Sequence, residues 1–123
     1  MLVTPEEFVG AVQELVVEAA AEDELSVLRK PPGRAPWPAH VARSEWFNGL
    51  TPRDQQMVAE VALAATFSAA FAFCAILDGV RAFDAERGSL RLSFIGPDGV
   101  ETLLNDPGRC ELHAQLRGDG PPP

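Results

Sequence analysis

The sequence predicts an α+β fold: an N-terminal helix, a Pro-rich connector, a long central apolar helix, a two- or three-stranded antiparallel β-meander and a short C-terminal helix. Three observations predict it. Two stretches carry apolar residues at helical spacing, each opened by Thr-Pro with an acid two residues after the proline. The apolar period changes from helical to two beyond Gly79. A Gly96-Pro97-Asp98-Gly99 turn separates two alternating runs.

The first helix is expected from Pro5 to about Arg29. Thr4 accepts from the N3 amide, Pro5 fits the first helical position and Glu7 completes a capping box, with Val3 and Phe8 placed as a hydrophobic staple. Phe8, Val9, Val12, Leu15, Val16 and Ala19 form the inward face, and Leu25 and Leu28 continue it. Four prolines from Pro31 to Pro38 then impose a stiff, extended connector. Trp37 and Trp46 flank its end. They are expected to dock the connector onto the core; the other reading is an aromatic recognition surface. A short helix from about Pro38 to Phe47 turns Val41, Trp46 and Phe47 inward.

After Asn48-Gly49, Thr51-Pro52-Arg53-Asp54 starts the central helix, expected to end at Leu77. Its sides differ. Leu63, Phe67, Phe71, Phe73, Cys74 and Leu77 make a bulky side, while Val61, Ala64, Ala65, Ser68, Ala69, Ala72 and Ala75 make a small one. A helix apolar all round is buried all round. The expectation is therefore a fully central helix, or a helix–helix homodimer contact through Ala64, Ala65, Ser68, Ala69, Ala72 and Ala75. The run Val61–Leu77 lacks charge but is short for a bilayer and has no basic or aromatic flanking belt, so a core helix is expected and no membrane.

Asp78-Gly79 stops this helix. Val80 to Phe83 reads as a first strand and residues 84–88 as a turn. Leu90, Leu92 and Phe94, then Val100, Thr102 and Leu104, alternate as strands of a meander packed on the central helix. Asn105-Asp106-Pro107 is expected to open the last helix, with Leu112 and Leu116 inward. Residues 1–117 form one domain, and 118–123 read as a disordered tail.

The charge limits the function classes. With 10 basic and 18 acidic residues the net charge is −8, so no nucleic-acid partner is expected. Cys74 and Cys110 show no metal spacing and read as reduced thiols. With no secretory leader in view, the expected localisation is cytoplasmic. His40 and His113 lack a patterned partner, and phosphate-loop, nucleophile-elbow and zinc patterns are missing. No catalytic residue, cofactor or metal is expected. The acids gather at turns and caps, where they accept local amides.

Glu45-Trp46-Phe47-Asn48-Gly49-Leu50-Thr51-Pro52-Arg53-Asp54, with Leu77-Asp78-Gly79-Val80 and Leu104-Asn105-Asp106-Pro107, resembles a group of small bacterial proteins of unknown function. That resemblance implies no activity, cofactor or catalytic residue. The reading of the residues is a non-enzymatic protein-binding or self-associating protein, a homodimer or the partner of a basic protein in the manner of an immunity protein or antitoxin. The alternative is a small-molecule site between the long helix and the sheet, lined by Phe67, Phe71, Phe73 and Phe94.

Overall fold

The computed structural model describes residues 3–81, 84, 86–109 and 111–116. The chain is α+β: α1 (Pro5–Val12), a π-helical segment (Gln13–Glu18), α2 (Ala19–Arg29), α3 (Pro38–Asn48), α4 (Pro52–Leu77), β1 (Ser93–Ile95), β2 (Glu101–Leu103) and α5 (Leu112–Gln115). The expected first strand does not form at Val80 and Arg81; Ala82 and Phe83 lie outside the described residues, as do Cys110 and the predicted tail.

Both Thr-Pro starts act as helix caps. Thr4 Oγ1 accepts from Glu7 N–H at 3.1 Å and Thr51 Oγ1 from Asp54 N–H at 3.2 Å, each satisfying an amide that a helix end leaves free. The N-terminal helix does run to Arg29, but through a widened turn that the apolar spacing does not show. Ala19 N–H reaches back five residues to the Glu14 carbonyl. A π turn takes in about one more residue than an α turn, so the inward face slips by one position. Val17 is buried, whereas Val16 is exposed and Leu15 is 69% exposed, contrary to the expected face. Thr66 of α4 stabilises the widened turn: its hydroxyl lies 2.7 Å from the Val17 carbonyl and 3.0 Å from that of Leu63.

Two apolar clusters hold the helices together. Val9 and Val17 from the N-terminal helix meet Ala70 and Cys74 of α4 and Leu112 and Leu116 of the C-terminal segment. Leu25, Leu28 and Phe47 make the second, against Leu50, Val58 and Ala59. α4 thus touches both, and 26 residues at 1.5 Å each make it roughly 39 Å long. It is not fully central. Only 17% of its most apolar 18-residue window is buried.

The β region is the two-stranded form of the expected meander. β1 and β2 pair antiparallel, Ser93 with Leu103, Phe94 with Thr102 and Ile95 with Glu101. The predicted turn joins them: Gly99 N–H donates to the Gly96 carbonyl at 2.9 Å, and Gly99 takes a positive φ of 81°. Asn105 ties this hairpin to the helices. Its Nδ2 donates to the carbonyls of Leu77 at 2.7 Å and Leu90 at 2.9 Å, and its Oδ1 accepts from Leu92 N–H at 2.8 Å. Asn105 therefore does not open the last helix. That helix begins seven residues later and takes its N-terminal partner from α4.

Candidate functional site

Two places have functional geometry: the C-terminal end of α4 and its outward face.

At the end of α4, Asp78 turns its carboxylate onto the start of α5. Oδ1 accepts from Leu112 N–H at 3.0 Å, and Oδ2 accepts from His113 N–H at 2.9 Å and from the His113 ring Nδ1–H at 2.6 Å. The bond assigns the ring proton to Nδ1, since an ionised carboxylate only accepts. The imidazole edge meets the Phe71 ring at 5.2 Å and 89°. Glu111 Oε2 stands 3.4 Å from the same Nδ1. Asp78, Glu111 and His113 thus gather three metal-ligating side chains. Their spacing is that of a clasp. Bonds of about 2.0–2.2 Å in a tetrahedral Zn²⁺ site hold ligand atoms roughly 3.3–3.5 Å apart, so the 2.6 Å Asp78–His113 bond has to open before an ion enters.

Cys74 lies one turn before Asp78 and is a free, buried thiol. Burial pushes its pKa up, and the negative charge of Asp78 adds to the rise. A thiol held in its protonated form is a poor nucleophile.

Beside the clasp is a cavity of about 260 Å³ between the end of α4 and the approach to β1, lined by Leu77, Asp78, Arg81, Asp84, Leu90, Arg91 and Asn105 among others. Its buried polar groups, Asp78 and Asn105, are engaged with protein atoms. Phe67 and Phe71 pack on the core, while Phe73 is exposed and Phe94 sits on the hairpin surface. Phe67 and Phe71 meet, with ring centroids 5.8 Å apart, but Phe73 and Phe94 do not join them in the expected pocket.

The outward face of α4 is the larger feature. Ala64, Ala65, Ser68 and Ala69 are exposed and Ala72 is half-buried. Ala75 is buried against the core and does not belong to that side. Met57, Val61 and Phe73 are 54%, 61% and 63% exposed on the same helix. Phe73 thus departs from the expected bulky inward side. It stands about 100° round the helix from buried Cys74, at the edge of the inward stripe.

The tryptophans do not dock the connector. Trp37 is 73% exposed and stacks on His40 with ring centroids 5.4 Å apart; Trp46 is 57% exposed. Trp37 is the extended residue that precedes α3, and Trp46 lies on α3 nine residues later. Trp46 instead lines an apolar groove of about 440 Å³ with Leu50, Met57, Val58 and Val61. Through Met57 and Val61 that groove is continuous with the outward face of α4. The small side of α4 marks this face in the sequence; the groove that Trp46 shares with Met57 and Val61, and the exposure of Phe73, do not show there.

Comparison with models of protein families, with curated proteins and with solved structures finds no match.

Proposed function

We propose that this protein works by docking to another macromolecule through the outward face of α4, as a soluble, non-enzymatic binding protein. One observation carries the reading. A helix of 26 residues, uncharged from Val61 to Leu77, leaves Met57, Val61 and Phe73 more than half exposed. Contiguous exposed apolar surface beyond a few hundred Å² marks an interaction site on a soluble protein. The ionisable groups at the other end of α4 hold α5 in place, which supports a role without chemistry. By length and composition α4 also meets the requirement for crossing a membrane. Its inward residues Ala70 and Cys74, packed on Val17 and Leu112, support the soluble reading.

Hydroxyl-radical footprinting tests the docking. Met57 and Phe73 are labelled in the dilute purified chain and again in intact cells. Docking predicts strong protection in cells relative to the exposed Met-free control helix α2. Equal labelling in both settings refutes it. Extraction without detergent separates a protein partner from lipid.

A further inference from the structure

We infer that the partner on this face is a second copy of this chain, related by a two-fold axis passing near Ala65. The inference rests on the docking reading above and names its occupant.

The first ground is the order of side chains along one ridge. Met57, Val61, Ala65, Ala69 and Phe73 follow one another four residues apart, and all five are exposed. The ridge is large at both ends and small in the middle. Reversed about Ala65, it sets Met57 opposite Phe73 and Val61 opposite Ala69. A two-fold contact needs such a surface, because one patch must fit itself. Ridges of this spacing pack side by side with the axes inclined by about 50° and roughly 8–10 Å apart. Small residues at the crossing allow the close approach. Large ones at the ends fill the gap that opens as the helices diverge.

The second ground is a knob and a groove on the same molecule. Phe73 projects eight residues after Ala65, and the groove of about 440 Å³ lined by Trp46, Met57 and Val61 lies around the position eight residues before it. Antiparallel pairing of two α4 helices brings each Phe73 to the other copy's groove. The contact forms twice and closes, so it yields a dimer and no filament.

Charge distinguishes this partner from a basic one. Two copies each carry −8 and repel, and salt screens that repulsion. Self-association therefore strengthens with added salt, whereas docking to a basic protein weakens.

The test uses the purified full chain without detergent. Light scattering at micromolar to submillimolar concentration is expected to give twice 13.2 kDa, with tighter association at higher salt. Ala65→Arg is expected to weaken association about 100-fold, a loss of roughly 2.7 kcal/mol, with unchanged circular dichroism. Phe73→Ala and Trp46→Ala are each expected to weaken it about 10-fold and, combined, to show coupling across the interface. In a Cys110→Ser background, Ala65→Cys is expected to form a disulfide-linked dimer on oxidation, whereas Ser26→Cys on exposed α2 is not. A monomer throughout overturns the inference, as does a dimer indifferent to Ala65→Arg or equal cross-linking at positions 65 and 26. A monomer in solution whose α4 face is nonetheless protected in cells overturns the second copy alone and leaves the docking reading standing.

Discussion

Replacing Asp78 by alanine removes the acceptor of three donors at once: Leu112 N–H, His113 N–H and the His113 ring, at 3.0, 2.9 and 2.6 Å. The carboxylate is only 4% exposed, and Leu112 is fully buried. Hydrogen bonds to a charged group are each worth about 1.5–3 kcal/mol, and a buried amide left without an acceptor costs about 1–3 kcal/mol. Relief of the burial penalty on the carboxylate offsets part of the loss. The net expectation is about 3–4 kcal/mol. Against the roughly 5–15 kcal/mol that separates folded from unfolded domains, this is a large share, equal to about 12–16 °C in Tm for a chain of this size. The assay is thermal unfolding followed by far-ultraviolet circular dichroism, at one fixed protein concentration because association shifts apparent stability. Amide exchange at Leu112 and His113 is expected to quicken far more than at Leu25 in the other cluster. Asp78→Asn, which keeps an acceptor for one amide, is expected to fall between alanine and the parent. A change of less than about 0.5 kcal/mol, the range of ordinary surface substitutions, refutes the clasp.

The remaining predictions concern the same core. Thr66→Val removes the hydroxyl that meets the Val17 carbonyl and is expected to destabilise by about 1–2 kcal/mol, while Thr66→Ser retains most of the stability; chemical denaturation of the three proteins checks this. Cys74, read alone in a Cys110→Ser background, is expected to resist iodoacetamide at neutral pH until the protein is unfolded. Its raised pKa also has a stability consequence. As pH rises through the ordinary thiol range, the unfolded chain ionises first and the folded chain keeps its proton, so stability is full below that range and falls above it. Cys74→Ala is expected to flatten that alkaline decline in denaturation series across pH.

Much of the fold can be read in short signals that act locally. Thr4-Pro5 and Thr51-Pro52 start helices because their hydroxyls meet amides three residues away. Gly79 ends α4 with a positive φ of 78°, a conformation glycine takes without steric penalty. Gly96-Pro97-Asp98-Gly99 joins the two strands as the expected turn. What the sequence conceals depends on distant partners. The π-helical segment answers to a hydroxyl 49 residues away, and it moves the inward face from Val16 to Val17. The start of α5 is set by Asp78, 34 residues before Leu112, where local reading sees only a helix stop. The strands are three residues each, and Asn105, rather than further strand pairing, holds the Leu90–Leu92 backbone to the end of α4. Of the outward face, the small residues from Ala64 to Ala69 stand out by period alone. The groove does not, because Trp46 joins it from α3 through tertiary packing.

The most direct single measurement is the emission of Trp46 as the chain is concentrated, in a Trp37→Phe variant that leaves one tryptophan. Burial of that ring by a neighbour's Phe73 predicts a shift to shorter wavelength along the same concentration curve as the rise in mass, absent in Phe73→Ala. Emission that stays at the wavelength of a water-exposed indole while the mass doubles contradicts the assembly drawn here.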